Sequence, residues 1–177
     1  MMFSYWMWDK KIPKEYCDLI IKEADWEKEE KAKVSVNGKL NTKIRKTDVV
    51  WKDFYSVIGC IADRYIRLAN VAAEWNYNLN NTENIQIGKY HSGGFYKWHK
   101  DVVPLDENPR KLSFTLLLND PKEFTGGNFE FKNLKNQPIM EQGSIIVFPS
   151  FLEHRVTPVT KGTRYSAVTW MLGPNFK

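Results

Sequence analysis

Tyr96-Lys97-Trp98-His99-Lys100-Asp101 is the stretch on which the reading of this chain turns. A strand sends residues i and i+2 to the same face, so this segment, if extended, aims the His99 imidazole and the Asp101 carboxylate at one point. The chain holds only three histidines. His91 sits in His91-Ser-Gly-Gly, a loop signature, and reads as a surface or supporting group. His154 lies far downstream, and Arg164 follows ten residues after it. A second imidazole delivered by a distant strand completes three ligands on one face of an octahedral metal.

The sequence around that stretch reads as β. Ile85–Tyr90, Lys111–Leu118, Asn128–Lys132, Ser144–Phe148, Arg155–Pro158 and Arg164–Met171 are short strand candidates punctuated by Gly, Pro or Asn. The half before residue 85 has a different texture. Pro13 to Glu30 predicts a helix with Pro near its first turn and an apolar stripe of Tyr16, Ile20 and Ala24. Asp53 to Trp75 predicts a longer one, with Phe54, Ile58, Ile61, Tyr65, Leu68, Ala72 and Trp75 recurring at helical spacing. Asn76 to Asn84 is turn-like, and the aromatic segment Met1–Trp8 reads as an edge strand rather than a leader. The expected fold is mostly β with N-terminal helices (α+β), a double-sheet jelly roll. It is expected as one domain over 1–177, with 1–84 as helical support and 85–177 as the core that carries the site.

Two histidines and one carboxylate with open positions beside them mark the non-haem Fe(II) oxygenase facial triad. Zinc is more often held by Cys or by three His, so iron is the expected metal. Such a centre needs an electron donor for O2, and a 2-oxo acid chelating two positions supplies it. The far carboxylate of that acid then requires a grip, for which a planar guanidinium is suited. His154-Arg-Val-Thr-Pro-Val-Thr-Lys-Gly-Thr-Arg164 reads as strand, turn, strand, and brings ligand and clamp into one cavity. Glu153 and Arg155 bracket His154 and point to the opposite face.

The chain resembles the Fe(II)/2-oxoglutarate dioxygenases of the prolyl-4-hydroxylase-like group, especially the bacterial and phage PKHD-type hydroxylases. The similar residues run from about Ile85 to Leu172. They include Tyr90, Gly93-Gly94, Trp98 to Asp101, Leu112 to Pro121, Gly126-Gly127, Gly143-Ser144, Phe148-Pro149-Ser150, His154 to Val159 and Gly162-Thr163-Arg164. The resemblance implies a double-stranded β-helix with iron between its sheets, held by His99, Asp101 and His154. It implies 2-oxoglutarate fixed by Arg164, with Tyr90, Thr115 and Trp170 beside it, although Tyr90 and Trp170 also suit a core. It further implies O2 as oxidant, ascorbate as reductant, and succinate and CO2 as products. Related halogenases leave the carboxylate position to a small residue; with Asp101 in place, hydroxylation is expected. The animal oxygen-sensing prolyl hydroxylases place a Tyr near Leu117, so the hydrogen bonding around the clamp differs here. The implied substrate is a prolyl residue of a protein or peptide, with Lys, Asn or Asp side chains and small molecules as alternatives. Tyr96 and Trp98 suit either a substrate cleft or a core. The competing reading is a non-catalytic jelly-roll module that keeps its metal as a clip.

Bulk properties narrow the setting. At 177 residues and 14% aromatic content, the chain can bury a core without staples. No stretch approaches the ~20 apolar residues of a membrane span. Cys17 and Cys60 lack a Cys-x-x-Cys spacing and read as two reduced, largely buried thiols in a cytoplasmic setting. The net charge of +5 is modest and does not by itself indicate nucleic acid. Lys31 to Lys46 carries six basic residues and no acid. It reads as a solvated hairpin or as a lid facing the substrate, and a nucleic-acid contact there has thin support.

Overall fold

The computed structural model describes residues 4–32, 41–102 and 108–175. Its strands are β1 (Trp6–Trp8), β2 (Glu30–Lys31), β3 (Arg45–Lys46), β4 (Asp48–Lys52), β5 (Ile85–Tyr90), β6 (Phe95–His99), β7 (Arg110–Leu117), β8 (Phe124–Gly126), β9 (Phe129–Phe131), β10 (Ile145–Pro149), β11 (His154–Val156), β12 (Val159–Gly162) and β13 (Arg164–Leu172). Two α-helices, α1 (Lys14–Lys22) and α2 (Val57–Ala72), precede β5. A seven-stranded sheet runs in the order β1-β10-β7-β13-β5-β4-β2. A four-stranded sheet, β3-β6-β11-β9, forms the second layer, and β12 pairs with β8 at one end. This is the expected double-stranded β-helix.

Side-chain alternation on the large sheet makes both its faces useful. Ile85 and Ile87 of β5, Leu112 and Leu116 of β7, Ile145 and Val147 of β10, and Ala167 and Met171 of β13 join one cluster with α1 and α2. Full burial of each large aliphatic side chain contributes roughly 1.5–3 kcal/mol. The intervening positions face the small sheet. There Ile146 and Phe148 of β10 pack with Phe129, Phe131 and Val156. Gln86, Ser113, Thr115, Arg164 and Ser166 occupy the same inner face, all buried and all polar. That polar row is where the sheet gives up core for chemistry.

Several sequence expectations need correction. The first helix stops at Lys22, and only a 3-10 turn, Trp26–Lys28, follows. The Trp26 indole N–H donates to the Ile21 carbonyl at 3.0 Å. The Lys52 ammonium donates to the Glu23 carbonyl at 2.6 Å, so a cation closes the helix C-terminus. Of the expected stripe, Ile58 and Trp75 are buried in the cluster, but between them the second helix turns Ala62, Ile66 and Ala69, followed by Ala73, to the sheet. Leu68 is 44% exposed, and Ile61 and Tyr65 only flank the cluster. Small residues on the contact line let the helix lie close to the sheet, an advantage that counting bulky residues misses. Residues before 85 are more than helical support, since β1, β4 and β2 extend the large sheet and β3 joins the small one. The edge strand expected in Met1–Trp8 is β1, paired with β10; residues 1–3 lie outside the described ones. Of Lys31–Lys46, residues 33–40 also lie outside them, while Arg45 and Lys46 form a strand on β6. Both cysteines are free, but Cys60 is exposed, because α2 turns it to solvent.

Candidate active site

His99 and His154 are brought together by pairing of β6 with β11, in which His154 lies opposite His99. Two residues further along β11, Val156 lies opposite Tyr96. Three steps on β6 therefore match two on β11, a bulge that turns both Tyr96 and His99 toward the cavity. The two rings stack with centroids 3.4 Å apart. Asp101 reaches the site differently from the simple strand argument, because β6 ends at His99. Its backbone N–H donates to the Ser150 carbonyl at 2.9 Å, just past β10. The end of β10 thus sets the position of the carboxylate.

Each imidazole is oriented by its own neighbourhood. Nδ1 of His99 lies 2.8 Å from the Lys97 carbonyl, and Nδ1 of His154 lies 2.9 Å from the Leu152 carbonyl. Only a protonated Nδ1 can donate to a carbonyl, so both Nε2 lone pairs are left for a metal. Each Nε2 is 3.5 Å from an Asp101 oxygen, His99 facing Oδ1 and His154 facing Oδ2. The three ligand atoms lie within 4.8 Å of one another. Burial alone would raise the Asp101 carboxyl, but the His154 and His99 imidazoles and the Ser113 hydroxyl hold it well below the usual carboxylate range. Burial pushes the His154 imidazole down to about 4, with Asp101 opposing. The set offers one carboxylate and two imidazole Nε2 atoms, the donor chemistry that a divalent 3d metal takes.

The Ser113 hydroxyl donates to Asp101 Oδ2 at 2.7 Å and meets the Ser150 hydroxyl at 2.9 Å. Outer partners of this kind tune metal affinity. Ser113→Ala is expected to weaken metal binding by about 10- to 100-fold with the fold intact, measured by titrating Mn(II) against thermal stability. Unchanged affinity would show that the Asp101 main-chain contact suffices.

Arg164 opens β13 opposite Tyr90 of β5 and is only 2% exposed. Nη1 donates to the Ser166 hydroxyl at 2.9 Å, and the guanidinium carbon lies 5.5 Å from the Tyr90 ring centroid. Burial lowers its pKa from the usual value, with Tyr90 opposing. Among the described residues no carboxylate forms an ion pair with it. Gly127, at φ +63°, leaves room for it, since a Cβ there would stand 2.9 Å from Arg164 Cδ.

One cavity of about 170 Å³ is lined by the three ligands together with Arg164, Tyr90, Thr115 and Trp170. Tyr96 lines it too. Trp98 does not; its ring lies 4.4 Å under the Arg155 guanidinium, and Arg155 pairs with Glu130 on the opposite face. Glu153 pairs with Lys132, away from the site. His91 is exposed, 3.3 Å from the Thr163 hydroxyl. Sequence reasoning missed Arg45, Gln86, Trp51, Arg110, Ser113 and Ser166, all of which line the cavity. The available signal was a polar residue at every second position of otherwise apolar strands. For Arg45 there was none, because it is one of six basic residues in its segment.

Two sheets enclosing a His-Asp-His cluster and a buried arginine define a non-haem metal oxygenase scaffold. The 2OG-Fe(II) oxygenase superfamily model matches residues 85–172. A PKHD-type hydroxylase of Prochlorococcus marinus is 35% identical over 152 residues, covering 72% of this chain and 69% of that protein. A PKHD-type hydroxylase of Synechococcus sp. is 34% identical over 94 residues, half of this chain, and the match spans only 42% of the relative's length. In structure, the viral collagen prolyl hydroxylase of Paramecium Bursaria Chlorella virus-1, solved with 2OG, superposes with a TM-score of 0.77 at 20% identity and covers 97% of both chains. The chain belongs to the 2OG-Fe(II) oxygenase superfamily, in its PKHD-type hydroxylase branch. That family implies Fe(II), 2-oxoglutarate and O2. No helix among the described residues is long and apolar enough to cross a membrane.

Proposed function

We propose that this protein is a 2-oxoglutarate- and Fe(II)-dependent hydroxylase acting on a C–H bond, with a prolyl residue of a protein or peptide as first substrate and C4 as the position. The observation that carries the reading is Arg164, a buried cation with no carboxylate partner among the described residues, in the cavity that His99, Asp101 and His154 also line. An isolated buried charge is costly, and a bound dicarboxylate offsets that cost in the place where a cosubstrate is needed. A metal kept only as a structural clip has no use for such a group. The prolyl assignment is supported by the name of the collagen prolyl hydroxylase that shares the fold.

When bound, the iron and the 2-oxo acid supply oxygen activation, with succinate and CO2 as by-products. The chain's residues do the rest. His99, Asp101 and His154 would hold the metal, two imidazole nitrogens and one carboxylate oxygen being the donor set of a non-haem iron centre. Ser113 and the Ser150 main chain hold the carboxylate, and the Lys97 and Leu152 carbonyls hold the imidazoles. Arg164, with Tyr90 beneath it, would receive the distal carboxylate, and Thr115 faces the same cavity. Phe129 and Phe148, packed around His154 with centroids at 5.5 and 4.7 Å, exclude water. Trp170 and Tyr96 form the walls against which the substrate lies. Ascorbate would serve as the reductant that keeps such a metal ferrous.

The test is succinate formation by the purified protein with Fe(II), ascorbate and O2, with and without proline-containing peptides. Stimulated turnover and a peptide heavier by one oxygen atom on its proline are expected. Stimulation only by peptides lacking proline would remove the prolyl assignment, and absence of succinate throughout would remove the oxygenase reading.

A further inference from the structure

Arg45 is a second arginine in the wall of the site cavity, 7% exposed. It comes from β3, where it lies opposite Tyr96 of β6. Its guanidinium carbon is 4.6 Å from the centroid of the Tyr96 ring, the same ring that stacks on His99. A single aromatic ring therefore separates this cation from a metal ligand. Its Nη2 donates to the Gln86 side-chain carbonyl, and its Nε is buried without a hydrogen-bond partner among the described residues. No described carboxylate forms an ion pair with it.

The contacts of the cavity's charged groups leave Arg45 without an ion-pair partner among the described residues. A divalent metal on Asp101 keeps one positive charge, and Arg164 adds a second; a dicarboxylate cosubstrate neutralises both. The other arginine of the cavity, Arg110, is already held bidentately by Glu83 at 2.5 and 2.6 Å. Glu30, at the exposed rim, accepts from the Trp51 indole at 3.1 Å. Glu30 makes no ion pair with Arg45, so of the arginines that line the cavity Arg45 and Arg164 are the two without a described carboxylate in ion-pair contact, and the cosubstrate answers only for Arg164. A planar guanidinium with a spare N–H matches a carboxylate, and burial makes that match discriminating.

We propose that Arg45 binds a carboxylate of the primary substrate, so that the molecule hydroxylated is an acid, either a free amino acid or the C-terminal residue of a peptide. The inference rests on the oxygenase reading and narrows its substrate class. Gln86, by accepting from Nη2, holds the guanidinium against Tyr96, and the edge of the guanidinium that lines the cavity is left to the incoming anion. An internal residue of a long chain offers only an uncharged amide at that point and leaves the cation unmatched.

The test uses matched acids and amides: L-proline with L-prolinamide, and glycyl-L-proline with its amide, together with the same pairs built on lysine and asparagine. Two readouts are taken on the full chain: KM for stimulated 2-oxoglutarate consumption with Fe(II), and calorimetric affinity for protein loaded with Mn(II) and 2-oxoglutarate without O2. In at least one pair the acid is expected to bind about 10- to 100-fold more tightly than its amide. Arg45→Gln is expected to bring the two within about threefold, while Lys43→Gln, at an exposed position nearby, keeps the preference. Free amino acids outperforming dipeptides, or the reverse, identifies the source of the carboxylate. Equal affinities in every pair, or a preference that survives Arg45→Gln, would overturn the proposal. Loss of 2-oxoglutarate consumption in every arm would remove the oxygenase reading, and calorimetry would still decide whether Arg45 selects an acid.

Discussion

Asp101→Ala is expected to lower 2-oxoglutarate turnover by at least about 1,000-fold, roughly 4 kcal/mol of transition-state stabilisation. Its carboxylate is the only anion of the ligand set, and its two oxygens face the two imidazole Nε2 atoms at 3.5 Å each. Removing it leaves two neutral donors, which hold a divalent ion weakly. The fold should survive, because Asp101 belongs to neither hydrophobic cluster. Thermal stability separates the two effects. Mn(II) at 100 times its Kd stabilises a native state by about 2.7 kcal/mol, a rise of about 5–10 °C for a chain of this size. That rise is expected in the wild type and not in the variant. Turnover retained in Asp101→Ala would sink the assignment of the metal centre.

Arg164→Met is expected to act in opposite directions on stability and function. In the free protein the guanidinium is buried beside Tyr90 and Ser166, with no described carboxylate in ion-pair contact. A methionine of similar length removes a desolvated charge, and the melting temperature of the free protein should rise by about 2–8 °C, roughly 1–2 kcal/mol. Cosubstrate affinity should fall by about 100-fold or more with the loss of a charge-assisted contact. Stabilisation by 2-oxoglutarate in the presence of Mn(II) should vanish in parallel. Arg164→Lys should not restore it, since an ammonium lacks the planar fork. A variant less stable than the wild type, with cosubstrate affinity unchanged, would make Arg164 a structural residue.

The residues proposed as ligands and clamp could be picked out in the sequence because the proposed chemistry restricts residue type. With three histidines in the chain, a triad containing two of them leaves few choices, and a buried arginine at the head of an apolar strand is conspicuous. The strand β5 was read to its limits, Ile85–Tyr90, because it alternates within clear turn signals. The contact face of α2 was misread because its line of Ala62 and Ala69 scores low on bulk, although small residues are what close packing against a sheet requires. The strand β4 was overlooked because Asp48-Val-Val-Trp-Lys52 is short and follows a basic run. Its Val-Val-Trp centre suits a strand, but only pairing with β5 gives so short a segment its place.

Local sequence, then, determined which imidazole, carboxylate and guanidinium groups are available to the proposed site, and that the region after residue 85 is a set of short strands. It also determined which strand positions are apolar, and hence a sheet buried on both faces. Tertiary structure decided how those atoms meet. The bulge between β6 and β11 turns Tyr96 and His99 to one side, and the end of β10 fixes Asp101 through Ser150. The short strand β3 selects one arginine from six basic residues and buries it beside Gln86. These are pairings across long sequence separations. A residue's own neighbours set its preferred backbone, but register between distant strands is set by the packing of whole faces, which no local window contains.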